Sequence, residues 1–127
     1  MKSVYIAGIL FVLAIIFITI NFFIIEDFLA ETQKLLYELP EKIESENEIQ
    51  FGQQILDEIQ KKWDKMETYI SVSLEHNMRK EFMQEFTRTK GYFESGMYDD
   101  YSSSIELLSK MIEYIKFNEG ASFGNIM

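Results

Sequence analysis

His76 is the only imidazole in the sequence, and Glu75 precedes it in the stretch SLEHNMRKEF. A histidine beside a carboxylate can form a pH-responsive or ligand-contacting group, because its charge changes near neutral pH. The same pair can cap or hydrogen-bond a turn between helices, and the pattern places it at such a junction. A metal site does not fit. Glu75, His76 and Glu81 supply three ligands at most, where closed transition-metal sites take about four. Glu81 also lies outside the i,i+4 spacing that puts two side chains on one helix face. Trp63 is the third residue to weigh. A lone Trp can anchor a protein partner, yet this one continues an apolar stripe, and that place favours core. Phe82, Phe86, Tyr92, Phe93, Tyr98 and Tyr101 present the same choice between lining a ligand cleft and filling a core.

Other chemistries lack their residues. Without cysteine there is no disulfide, thiol nucleophile or thiolate metal site. The residue three before His76 is Ser73, so the Glu-x-x-His motif of di-iron bundles is missing. The glycines stand singly and build no phosphate loop, and no serine sits in a nucleophile elbow. The 21 acidic residues read as solvated helix faces. We therefore expect no cofactor and no enzymatic activity. A net charge of −9 argues against nucleic acid as a partner. Arg79, Lys80, Arg88 and Lys90 are interrupted by Glu81 and Glu85, which makes a mixed surface.

The elements that position these residues fall into two unlike parts. Residues 1–25 hold 20 of the 60 apolar residues and one charged side chain, Lys2. Val4 to Ile25 runs for 22 residues without a charge. As a helix it would be about 33 Å long, enough for a hydrocarbon core of about 30 Å. The run is too long for the apolar region of a signal peptide, and Ala30 has Phe28 two positions before it, so no small-x-small cleavage site follows. The expectation is an uncleaved, single-pass anchor in the cell membrane, reaching the lipid bilayer through residues 4–25, with residues 1–3 as a short tail. Lys34 and Lys42 after the span offset Lys2 before it, so basic residues do not set the orientation. The layout, a Met-Lys start leading straight into the apolar run, is that of a signal-anchor. It places the N-terminus in the cytoplasm and the C-terminal domain outside.

Residues 26–117 read as an all-α domain, an antiparallel bundle of about four helices into which the membrane helix continues. Phe28, Leu35, Leu36, Leu39 and Ile43 keep helical spacing until Pro40 interrupts it. Leu56, Ile59, Trp63, Met66 and Ile70 make the stripe of a second helix over about 49–74. Met78, Phe82, Met83, Phe86 and Phe93 belong to a third. Gly96 suits a helix end, and Asp99 and Asp100 suit the start of a fourth helix carrying Tyr101, Ile105, Leu108, Met111, Ile112 and Ile115. Residues 118–127 show no period and read as a flexible tail.

The short Met-Lys start, the single span, LDEIQKKWDKMETYI, the turn containing LEH and the closing YDDYSSSIELLSKMIEYI resemble the bacterial family filed as domain of unknown function 4363. Two positions depart from that family, which more usually has Asp where Glu75 stands and often His where Tyr114 stands. The resemblance implies a short, membrane-anchored helical protein of a Gram-positive bacterium and assigns no activity. The function expected is a non-enzymatic envelope protein, a protein-interaction or structural module with a protein partner. The alternative is an extracytoplasmic bundle that senses a small molecule in an aromatic-lined cleft beside His76.

Overall fold

The computed structural model describes residues 1–69 and 76–126, with the backbone alone at Ile126. Four long helices and no strand occur among the described residues: α1 (Lys2–Glu38), α2 (Glu46–Lys65), α3 (His76–Glu94) and α4 (Tyr98–Ile126). Leu74, Glu75 and Ile70, which the sequence assigns to the second helix and the turn after it, lie outside the described residues.

Helix α1 is one unbroken rod of 37 residues, about 55 Å long. It begins at Lys2, so no separate tail of residues 1–3 precedes it. It stops where Pro40 biases the preceding residue away from helical geometry, and Leu39 is extended at φ −61°, ψ 134°. The reversal is held from across the bundle. The Tyr101 hydroxyl donates to the Pro40 carbonyl at 3.1 Å, and the Ser102 hydroxyl donates to the Glu41 carbonyl at 3.2 Å. Ser45 then takes the extended cap position of α2, and the Glu48 carboxylate reaches back to the Glu44 N–H at 2.7 Å. Acids in the first turn and Lys62 and Lys65 in the last complement the helix dipole.

The turn from α3 to α4 is a Schellman motif, with Met97 N–H bonded to the Tyr92 carbonyl and Gly96 N–H to that of Phe93. Only glycine takes its φ of +74° without strain. Asp99 and Asp100 fill the first turn of α4, as their placement predicts.

The helices alternate in direction. Glu31 and Thr32 of α1 meet Lys62 and Trp63 of α2, while Thr89 of α3 meets Ser104 of α4. The core follows the expected stripes: Leu56, Ile59, Trp63, Phe82, Phe86, Leu108, Ile112 and Ile115 are buried, with Met66 and Ile105 half-buried. Two boundaries differ from the sequence reading. Packing begins inside the apolar run, since Ile25 is fully buried and Thr19, Asn21 and Phe22 are half-buried. Residues 118–126, expected as a loose tail, instead continue α4, and Phe123 stacks on Phe22 with centroids 4.3 Å apart. The apolar period resumes at Phe123 once Glu119 is allowed to face inward.

Candidate functional site

Trp63 stands in the middle of a ladder of rings. Its ring lies 5.0 Å from Phe28 of α1 and 4.2 Å from Phe82 of α3, stacked on the latter, and Phe86 follows at 6.3 Å. The indole N–H donates to Thr32 Oγ1 at 3.2 Å, and that hydroxyl donates to the Phe28 carbonyl at 3.0 Å. With its one polar atom satisfied and 2% of its surface exposed, Trp63 joins α1, α2 and α3. That placement is core, and a partner could reach the ring only if the helices parted. Phe93 and Tyr101 are buried near the other end of the bundle, with Tyr98 at their edge. Burial pushes the Tyr101 phenol up from its ordinary range. Phe82, Phe86, Phe93 and Tyr101 are therefore spent on the core and line no ligand cleft.

His76 opens α3 on the surface. Arg79 donates from a terminal guanidinium nitrogen to Nδ1 at 3.2 Å, so that ring nitrogen is an acceptor here. Glu75 lies outside the described residues. Glu81 is exposed and borders a different depression, with Lys110 and Tyr114. Beside His76 runs an open groove of about 550 Å³ along α3, lined by Arg79, Lys80, Met83, Gln84, Thr87 and Arg88. It contains no tyrosine. The helix thus sorts the alternating charges of this stretch, setting three cations on one groove wall and leaving Glu81 elsewhere. Among the described residues, no three His, Asp or Glu side chains converge as metal ligands do.

One polar cluster lies inside the bundle. Ser104 donates to Glu85 Oε1 at 2.9 Å and touches the Thr89 hydroxyl, while Glu85 Oε2 meets Arg88 at 3.4 Å. Both carboxylate oxygens are engaged within the protein. This arrangement ties α3 to α4 and leaves Glu85 poorly placed to act on a substrate.

A further concavity lies where the bundle meets the apolar half of α1. A cleft of about 520 Å³ has Phe17, Ile18, Asn21 and Phe22 on one wall and residues from Asn118 to Asn125 of α4 on the other, with Met78 at its edge. The Tyr69 hydroxyl donates to Asn21 Oδ1 from the chain beyond α2. Burial pushes the Glu119 carboxyl up from the usual carboxylate range. The sequence places Asn21 within the uncharged run from Val4 to Ile25 and residues 118–127 in a tail, and marks neither as part of a site. The available signal was the spacing of Ile112, Ile115, Glu119 and Phe123.

A family model described as a domain of unknown function (DUF4363) matches residues 20–126. Neither the curated proteins nor the solved structures contain a match to the chain.

Proposed function

The chain belongs to the DUF4363 family, a domain of unknown function, and from that premise we propose that it is a membrane-anchored, non-enzymatic protein of the bacterial cell envelope. In this reading α1 crosses the membrane once with its N-terminus in the cytoplasm. The bundle stands outside as a protein-interaction or structural module. The observation that carries the proposal is the division of labour along α1. Its N-terminal half is long and apolar enough to cross a membrane and packs against almost nothing, with Ile6, Ile9, Leu10, Phe11 and Phe17 between 58% and 71% exposed. Its C-terminal half supplies Phe28, Leu29, Leu35 and Leu36 to the core. A soluble fold would leave the first half in water at a cost of about 25 cal/mol for each Å² of apolar surface.

The surface offered to a partner is the outer face of α4. Leu107 and Tyr114 lie two turns apart, 46% and 61% exposed, and Tyr114 borders a groove of about 200 Å³ lined by Met78, Met111 and Ile115 with the charged Glu81 and Lys110. Against the sensing alternative stand the open, tyrosine-free groove at His76 and the packed aromatic core.

The test uses intact cells. The protein should stay with membranes through a carbonate wash, and protease added to protoplasts should digest the bundle. A photo-reactive residue at Leu107 should give one defined adduct that the same residue at Gln54, exposed on α2, does not. Release by carbonate would overturn the anchor, protection of the bundle would overturn the topology, and equal patterns at 107 and 54 would overturn the α4 surface.

A further inference from the structure

The depth to which α4 descends along α1 conflicts with the length of the anchor unless lipid covers both. Phe123 stacks on Phe22, and the cleft wall formed by Asn118–Asn125 faces Phe17, Ile18 and Asn21. The bundle thus reaches the level of Phe17 on this side. If the bilayer ended below the foot of α4, only the run from Val4 to Ile16 would remain for it. Those residues rise about 20 Å as a helix, against a hydrocarbon core of about 30 Å. A shortfall of about 10 Å, a third of that thickness, is more than tilt can supply, because tilting shortens the span of a helix further. Placing the full run from Val4 to Ile25 in the bilayer removes the shortfall and carries the foot of α4 into it.

We infer that residues 117–126 of α4 form a second lipid contact, seated at the boundary between headgroups and acyl chains beside Phe17–Phe22. The inference rests on the anchor reading given above. The side chains suit such a site. Phe117 is 73% exposed, the largest exposure of any aromatic residue in the bundle, and no bundle contact accounts for it. From Gly120 to Ile126 there is no charge. Asn21, Asn118, Ser122 and Asn125 line the cleft at the level where headgroups and water would enter. Tyr69, bonded to Asn21, brings a phenol to that same level, and amphipathic rings of this type favour the interface. A helix that buries its apolar side about 5–10 Å into this boundary matches the depth required. Glu119 is the one carboxyl in the segment, and its burial already favours the neutral form that lipid tolerates. Lipid at this level would hold the bundle at a fixed height and orientation above the membrane. A bundle joined to the bilayer by α1 alone would have neither constraint.

The chain contains no cysteine, so a single one can carry an environment-sensitive dye while Trp63 and the core stay intact. Three variants of the full-length protein, Phe117→Cys, Phe11→Cys and Gln54→Cys, are labelled and reconstituted in phosphatidylcholine–phosphatidylglycerol vesicles. Some vesicles carry a nitroxide near the head of the acyl chain and others carry it near the end. The dye at 11 should be quenched most by the deep nitroxide and the dye at 117 most by the shallow one, to a comparable degree. The dye at 54 should be quenched by neither. A dye at 117 that behaves like the one at 54, with 11 still quenched, would overturn the lipid contact and leave the anchor standing. Absence of quenching at 11 would overturn the anchor reading and this inference with it. Quenching at 54 equal to that at 117 would trace the signal to the dye and overturn the inference.

Discussion

Replacing Gly52 by alanine sets two effects of known sign against each other. A glycine inside a helix costs about 1 kcal/mol relative to alanine, so on propensity alone Gly52→Ala stabilises α2. Gly52 is buried, however, and a Cβ placed on it would lie 2.8 Å from Phe93 Cζ and 2.9 Å from Cε2, with Pro40 Cγ at 3.5 Å. Carbon atoms settle at about 3.5–4.0 Å, so the ring would have to retreat by nearly 1 Å. It has little room to do so. Phe93 is 3% exposed and lies against Tyr101 at 5.1 Å, whose hydroxyl is bonded to the carbonyl of Pro40. Overpacking of this kind costs about 1–3 kcal/mol, so the net change should be a loss of about 0–2 kcal/mol. The decisive comparison is made in a Phe93→Leu background. With the ring gone, Gly52→Ala should turn stabilising by about 1 kcal/mol, a coupling of about 1–3 kcal/mol across the cycle. Denaturant unfolding of the full chain in detergent, followed by Trp63 fluorescence, reads the shift in midpoint at constant slope. Equal stabilisation by Gly52→Ala in both backgrounds would refute the close approach of Phe93.

Trp63→Phe keeps a ring in the stack but removes the donor to Thr32 and part of the buried indole volume, so it should cost about 1–3 kcal/mol, less than Trp63→Ala. Trp63→Ala opens the ladder between α1, α2 and α3 and should cost about 3–5 kcal/mol by ellipticity; a loss under about 1 kcal/mol would place the ring outside the core. Glu119 has a carboxyl raised by burial, so between its unfolded and folded titration the folded chain keeps a proton that the unfolded chain has lost, and stability is greatest below that window and falls as pH rises through it. Glu119→Gln should remove that slope from a series of melting temperatures and raise stability at neutral pH; an unchanged slope would show that Glu119 faces water.

Much of the fold was legible because the core-facing residues of each helix recur at helical spacing. The stripe from Leu56 to Trp63 and the pairs Phe82–Phe86 and Leu108–Ile112 are all buried, since an amphipathic helix has one apolar side to hide. Pro40, Gly96 and the Asp99–Asp100 pair marked ends and starts correctly because each acts through its own backbone or the nearest dipole. Local rules failed where a residue depends on a neighbour distant in sequence. Thr32 and Thr89 look like surface residues of their helices, yet both are fully buried, one receiving the Trp63 N–H and the other touching Ser104 of α4. A hydroxyl can hide in this way only if its partner stands at the same height on another helix, and sequence spacing does not record height.

The same reasoning explains why the cleft between α1 and α4 was not seen in the sequence. Asn21 and Glu119 each interrupt an apolar pattern. The sequence places Asn21 within the span of residues 4–25 and Glu119 within a tail of residues 118–127. The heights of the helices make the two interruptions coincide. The fall of α4 from Tyr101, opposite Pro40, brings residues 118–123 level with residues 17–22 of α1. Asn21 of α1 and Asn118 and Glu119 of α4, all half-buried, then face the same cleft, where Phe22 stacks on Phe123. A polar residue within an apolar helical period thus has two readings, the end of the element or a wall of a shared cleft. Burial separates them, because a true helix end in water leaves the carboxyl solvated. The upward push on the Glu119 carboxyl is the mark of the cleft.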